Sequence, residues 1–170
     1  MKKILFALIL CVAMAFSFGA VAQETEILPA EELFDGVWVQ FEDGFEFYLP
    51  SDWYAVAEIP QEWLEMGVFY AACTEDMAYS VTLEWHPLNE GEGIEDVLYA
   101  VMTNFENAQI VEVNGVEMVL YGNAENDQII FIAMDAAEPG MYCFVFTPGS
   151  DEDFQLLAAL IASTIRNIPQ

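Results

Sequence analysis

The chain contains a single histidine, His86, so any mechanism that moves a proton through an imidazole would have to be built around it. Candidate nucleophiles are present, but none stands in a recognisable sharp turn that would expose a catalytic side chain. His86 itself precedes Pro87 at the end of a predicted strand, which favours an exposed strand-end residue over a catalytic base. The candidate nucleophiles are Ser51, Ser80, Ser150, Ser163, Cys73 and Cys143.

The composition also excludes several other kinds of catalysis. Beyond the N-terminal Lys2 and Lys3, the only basic residue is Arg166, which leaves no lysine for a Schiff base and one guanidinium for a phosphate clamp. One histidine and two remaining cysteines do not assemble the usual zinc sites. Carboxylate pairs of the glycosidase kind arise by chance in any chain this acidic, so they carry no signal. We predict a non-enzymatic protein with no catalytic residues and no cofactor.

The charge balance points to the kind of partner. Asp and Glu number 29 against three Lys and Arg, giving a formal net charge of −26. Such a chain repels phosphate backbones and anionic lipids, which excludes nucleic-acid binding and direct binding to anionic membranes. The same charge attracts cations, so the favoured function is recognition of a positively charged protein or peptide through an acidic surface.

Calcium is the metal that an acidic secreted protein meets, yet no stretch matches the calcium-binding loop of an EF-hand. The densest oxygen clusters are 89–93, which suits a solvated loop, and 150–153, which suits the start of a helix. We expect weak, non-specific calcium binding, and a specific metal site stays open.

An alternative function is small-ligand or carbohydrate binding in an aromatic-lined groove. The stretch Tyr79–His86 alternates apolar and polar residues, so Thr82, Glu84 and His86 share the polar face of one predicted strand. Trp63 lies on a short polar helical turn and is predicted to be exposed, where its ring would contact a sugar or a cation. These four residues are the candidate ligand-binding set.

Cys73 and Cys143 fall on predicted strands of a chain that carries an export signal. A disulfide requires neighbouring strands, because the two Cα atoms must lie within about 7 Å. The alternative is a pair of free thiols that pack as small apolar groups. The sequence leaves both open.

The N-terminal segment is predicted to direct export. Lys2 and Lys3 precede an apolar run that ends at the small residues Ala20-Val21-Ala22, the pattern of a signal peptide cleaved after Ala22. We therefore expect a secreted, extracytoplasmic protein. The predicted domains are a signal peptide over 1–22, a flexible acidic leader over 23–36 and a single globular domain over 37–170.

Hairpins dominate the predicted globular domain, and two helices interrupt them. Asn114-Gly115 is a strong hairpin signal, and Pro50 ends the strand of a first hairpin, after which Trp53 and Tyr54 turn back toward the core. Helical periodicity covers 94–107, and a second helix begins at Ser150 as its cap. The fold class is α+β, with a mostly antiparallel central sheet and helices packed on its faces.

The stretch from Gly44 to Trp53, Gly-Phe-Glu-Phe-Tyr-Leu-Pro-Ser-Asp-Trp, resembles the start of the Mog1/PsbP-like family. The later order is similar too, with a long helix, an Asn-Gly hairpin, two strands and a terminal helix, so the likeness runs from about Val37 to Ile168. The resemblance implies an α/β/α sandwich without catalytic residues, in a family whose members bind proteins such as Ran GTPase or photosystem II. The chain looks closest to the small secreted bacterial members. Photosystem II subunits dock through basic residues that this chain lacks, so that partner is not expected.

Overall fold

The computed structural model describes residues 27–42, 44–135 and 138–168. The predicted signal peptide over 1–22 therefore lies outside the described residues. Within the described ranges, no helix combines the length and apolar character needed to cross a membrane.

The chain forms ten strands and four helices within the described residues. The strands are β1 (Gly36–Gln40), β2 (Phe45–Pro50), β3 (Tyr54–Ala55), β4 (Val68–Cys73), β5 (Ser80–Pro87), β6 (Gln109–Val113), β7 (Val116–Asn123), β8 (Gln128–Met134), β9 (Gly140–Thr147) and β10 (Arg166–Asn167). The helices are α1 (Ala30–Leu33), α2 (Gln61–Glu65), α3 (Ile94–Met102) and α4 (Glu152–Ser163).

The strands form two antiparallel sheets. The larger has seven strands in the order β3-β4-β5-β9-β8-β7-β6, and the smaller has three in the order β1-β2-β10. The small sheet and α4 pack on one face of the large sheet, and α3 packs on part of the other face. This arrangement confirms the predicted α+β class with helices on both faces of an antiparallel sheet.

The first hairpin fills the space between the two sheets. On β2, Phe45, Phe47 and Leu49 are almost completely buried, and Phe47 contacts the ring of Phe144 edge-on at 5.6 Å. Trp53 follows the turn and stacks on Phe154 at 6.0 Å between ring centroids. The hairpin therefore builds its own small sheet above the large one, rather than adding strands to it.

Four predictions made from the sequence need correction. Tyr54 is 58% exposed, because it starts the edge strand β3 and does not turn inward. The helix predicted over 94–107 ends at Met102, since a turn at Thr103 and Asn104 directs the chain toward β6. The final helix is capped by Asp151 instead of Ser150, because the Asp151 carboxylate accepts a hydrogen bond from the Phe154 N–H at 2.9 Å.

The fourth correction concerns the predicted leader, residues 23–36, of which 27–36 are described. This part belongs to the folded domain, since it contains α1 and the start of β1. Two hydrogen bonds fasten it to the β6–β7 hairpin, where the Asn114 side chain accepts from the Leu28 N–H at 2.8 Å and donates to the Leu28 carbonyl at 2.9 Å. Asn114 can do this because the hairpin turn holds it at a φ of 49°, which asparagine tolerates.

Arg166 ties the small sheet together. Its Nε–H donates to the Glu46 carboxylate at 2.8 Å, and its guanidinium lies 3.7 Å from the centroid of the Trp38 ring. Glu46 is a buried carboxylate that also accepts a hydrogen bond from Gln40 at 2.7 Å. The guanidinium therefore compensates a buried negative charge and covers an aromatic ring at once.

Replacing Arg166 with glutamine should lower the free energy of unfolding by about 1–3 kcal/mol, because Glu46 stays buried without its charged partner. Urea denaturation measures the change. Arg166→Lys should lower the free energy of unfolding by less than Arg166→Gln does, because lysine keeps the positive charge and loses only the planar stacking on Trp38. Adding Glu46→Gln to Arg166→Gln should recover part of the loss, and an additive double variant would contradict this role.

Candidate functional site

Strand β5 presents a polar row on one face of the large sheet. Its apolar residues Val81 and Leu83 are fully buried against the small sheet and α4, as the alternation of the sequence predicts. Its polar residues Ser80, Thr82, Glu84 and His86 therefore point to the opposite face. Strand rise of about 3.3 Å per residue makes this row about 20 Å long from Ser80 to His86.

The polar row lies in an open cleft of about 600 Å³, which we call the sheet-face cleft. Trp63 and Met66, in and just after α2, form one wall, and Val101 of α3 lies in the other. α3 covers only part of this face, so the polar side chains of β5 stay partly exposed. All four candidate ligand-binding residues line the cleft: Trp63, Thr82, Glu84 and His86.

The rest of the lining is not apparent from the sequence. Ile130, Ile132, Cys143 and Val145 supply an apolar floor from β8 and β9, and Met141 extends it beside His86. Val145 and Met141 are partly exposed, whereas Ile130, Ile132 and Cys143 are buried. At the other end, beside Ser80, polar groups converge from three strands. These are Asn123, Gln128 and Thr147.

Alternation of apolar and polar residues along a strand would identify the residues of this floor only if the order of the strands in the sheet were known. β8 is apolar on both faces, with five consecutive residues from Ile129 to Ala133 buried, so its sequence does not reveal which side is partly open. The pairing of Glu84 with Cys143 and of Cys143 with Ile132 places the polar row directly beside the apolar floor. That juxtaposition comes from the strand order, which brings β9 between β5 and β8.

Glu84 supplies the negative charge of the cleft. Its carboxylate contacts the His86 Nε2 at 2.9 Å, with side-chain exposures of 24% for Glu84 and 35% for His86. Burial, and secondarily the Glu84 charge, raises the pKa of the Cys143 thiol to about 12. Burial likewise raises the pKa of Tyr121 to about 12, with Cys143 and Glu84 adding to the effect. Both groups stay protonated at neutral pH.

The two cysteines are free thiols, so the disulfide that the sequence left open is not formed. β5 lies between the strands that carry them, with Cys73 opposite Ser80 and Cys143 opposite Glu84. Cysteines on strands that are not neighbours, and displaced along the sheet, cannot meet the geometry of a disulfide.

A second cleft, of about 700 Å³, lies at the β3–β4 edge of the large sheet, and we call it the acidic cleft. Trp53, Tyr54 and Tyr79 supply aromatic rings to its lining. The Asp76 carboxylate accepts hydrogen bonds from the Thr74 hydroxyl at 2.7 Å and the Ala78 N–H at 3.1 Å, which lower its pKa. The carboxylates in this lining are Asp52, Glu75, Asp76 and Asp153.

The distances and the protonation of the side chains in the sheet-face cleft do not suit nucleophilic catalysis. Ser80 and His86 lie six residues apart on one strand, about 20 Å, so they cannot act as a nucleophile and its base. The Cys143 thiol is protonated and buried, which makes it a poor nucleophile. Across residues 27–42, 44–135 and 138–168, no group of His, Cys, Asp and Glu is arranged to hold a metal ion.

The α+β fold is PsbP-like, as its similarity to solved structures shows. The chain is similar to the solution structure of cyanobacterial PsbP (CyanoP) from Synechocystis sp. PCC 6803, with a TM-score of 0.55 and 14% identity. That match covers 88% of this chain and 98% of the other. It confirms the PsbP-like part of the resemblance at the level of the fold, and the narrower likeness to Mog1 and to small secreted bacterial proteins stays a prediction.

A crystal structure from Bacteroides thetaiotaomicron VPI-5482 is also similar, with a TM-score of 0.50 and 13% identity. The match covers 74% of this chain but only 46% of that protein, so this chain spans less than half of its length. No protein-family model and no curated protein sequence matches the chain.

Proposed function

We propose that the protein is a secreted, non-enzymatic binding protein that recognises a positively charged protein or peptide through its acidic surface. One observation carries the proposal. Within residues 27–42, 44–135 and 138–168, Arg166 is the only lysine or arginine, and it pairs with the buried Glu46. In a chain with 29 acidic residues, the described part therefore has one permanent cation, and that cation is already paired.

The acidic surface would act mainly on the encounter with a partner. A field of one sign raises the association rate of an oppositely charged molecule and disfavours anionic competitors. Screening by salt weakens such attraction, because the Debye length falls from about 10 Å at 0.1 M to about 3 Å at 1 M ionic strength. Binding that rests on this surface must therefore depend strongly on salt.

The proposal of a non-enzymatic role is supported by the separation of Ser80 from His86 and by the protonated Cys143 thiol. Export is proposed on the signal-peptide pattern that ends at Ala22.

Fluorescence anisotropy with a fluorescein-labelled octa-lysine peptide tests the charge recognition. We expect saturable binding at low ionic strength that weakens at least tenfold when sodium chloride is raised to about 0.5 M. A labelled octa-glutamate peptide is the matched control and should not bind. Absence of octa-lysine binding at low salt, or equal binding of both peptides, would contradict the proposed function.

A further inference from the structure

The acidic cleft and the sheet-face cleft differ in the polar and apolar groups that a bound cationic partner would contact. In the acidic cleft, Asp76 is held by hydrogen bonds from Thr74 and Ala78, and the lining comes mostly from loops and strand ends. The sheet-face cleft combines an apolar floor with one carboxylate along a strand-length groove. Apolar burial contributes affinity that salt does not screen, at about 25 cal/mol per Å² of buried surface. The sheet-face cleft is therefore the better place for a lasting contact.

Exposed apolar side chains lie on and beside the two helices that contribute residues to this cleft. On and beside α2, Trp63, Leu64 and Met66 are 36%, 48% and 58% exposed, and on α3 Met102 is 47% exposed. Trp63 and Met66 line the cleft itself, and Met141 lies in its floor. Methionine side chains are flexible and polarisable, and they are common on surfaces that accept varied apolar side chains. The cleft thus offers an adaptable apolar surface at its walls as well as in its floor.

The negative charge of Glu84 in the cleft favours a ligand that carries a positive charge. Among the described residues that line the cleft, Glu84 is the only carboxylate and none is a Lys or Arg. Its contact with His86 uses one of the two carboxylate oxygens, and the Glu84 side chain remains partly exposed. An incoming ammonium or guanidinium group would form a charge-assisted hydrogen bond with Glu84 in a partly desolvated setting.

We propose that the sheet-face cleft is the docking site for a peptide segment of the cationic partner that carries apolar side chains beside a lysine or arginine. This inference rests on the proposed function and adds the site and the type of segment. The apolar side chains contact the partly exposed side chains of Met141, Val145 and Trp63, and the cationic group binds Glu84. About six extended residues match the 20 Å length of the polar row.

The test compares two labelled peptides, octa-lysine and a hexapeptide of alternating lysine and leucine. We expect the mixed hexapeptide to retain binding at about 0.5 M sodium chloride, where octa-lysine has dissociated, because apolar contacts are not screened. Glu84→Gln should weaken the mixed hexapeptide at least tenfold. Glu75→Gln, which removes one charge from the acidic cleft, is the matched control and should change its affinity less than twofold.

A second pair of variants tests the apolar contact. Trp63→Ala should weaken the mixed hexapeptide about fivefold or more while leaving octa-lysine unchanged at low salt. Met77→Ala is the control, since Met77 is 78% exposed and lies outside both cleft linings. Circular dichroism and thermal melting confirm that each variant is folded before its binding is compared.

The outcomes separate this inference from the proposed function. If Glu84→Gln and Glu75→Gln weaken the mixed hexapeptide equally, or Glu75→Gln weakens it more, the sheet-face cleft is not the docking site, although recognition of cations stands. If neither peptide binds at low salt, the proposed function itself fails. Saturable binding of a neutral oligosaccharide such as maltotriose that requires Glu84 and Trp63, without peptide binding, would assign the cleft to a sugar and overturn the inference.

Discussion

Replacing Phe47 with alanine should lower the free energy of unfolding by about 3–5 kcal/mol, the typical cost of truncating a fully buried phenylalanine. Phe47 is 0% exposed and lies between the two sheets. Its ring contacts Tyr70 at 5.6 Å and Phe144 at 5.6 Å, both edge-on, and stacks near Phe41 at 6.0 Å. No other element can move in to fill the space, because β1 and β10 hold β2 on both sides.

Urea denaturation monitored by circular dichroism gives the change in unfolding free energy. Val37→Ala, on the neighbouring strand of the same hairpin, is the matched control, since Val37 is 51% exposed and should cost less than about 1 kcal/mol. A loss at Phe47 no larger than that at Val37 would show that the small sheet does not depend on the large one for its stability.

Raising the pH from about 8 to about 11 should lower the unfolding free energy by on the order of 2–3 kcal/mol through the Cys143 thiol alone. Burial raises the pKa of this thiol from the ordinary value of 9.0 to about 12. The folded state therefore holds the proton more tightly than the unfolded state does. The stabilisation is fully present below pH 9 and is lost as the pH approaches about 12. Tyr121 also lowers the unfolding free energy as the pH rises above about 10, because its pKa is likewise raised to about 12 in the folded state.

Urea titrations at several pH values, with a reductant present, measure this effect. Cys143→Ala should reduce the slope of the profile between about pH 9 and 11 and leave the part that Tyr121 causes, while Cys73→Ala should leave the slope close to that of the parent protein. Cys73 is a fair control because it is a less buried thiol on the same face of the same sheet. Parallel profiles for the two variants would show that Cys143 does not control the alkaline loss.

The sequence predicted the parts of the fold that depend on local pattern. Alternation in β5 separated the buried Val81 and Leu83 from the polar row, and Asn114-Gly115 marked a hairpin turn in which both residues have positive φ. Trp53 was expected to plug the core and is 9% exposed. Each of these features follows from residues within a few positions of one another, where the physical preference acts directly.

Features that depend on distant residues were not predicted. The strand β10 is two residues long and pairs with β2 across a separation of 120 residues, which no local periodicity reveals. The apolar floor of the sheet-face cleft depends on β9 lying between β5 and β8. The candidate set of Trp63, Thr82, Glu84 and His86 was nevertheless brought together, because three of its members share one strand face and α2 packs beside β4.

The ion pair between Arg166 and Glu46 has a consequence for the order in which the domain forms during synthesis. The first hairpin leaves the ribosome long before β10 does. About 120 further residues must be synthesised before Arg166 can bind Glu46 and β10 can pair with the open edge of β2. Chains that stop before Arg166 keep a buried carboxylate without a cation and a strand with unpaired backbone groups. Incomplete chains are thereby disfavoured as stable products, and proteases can remove them before they pair with one another.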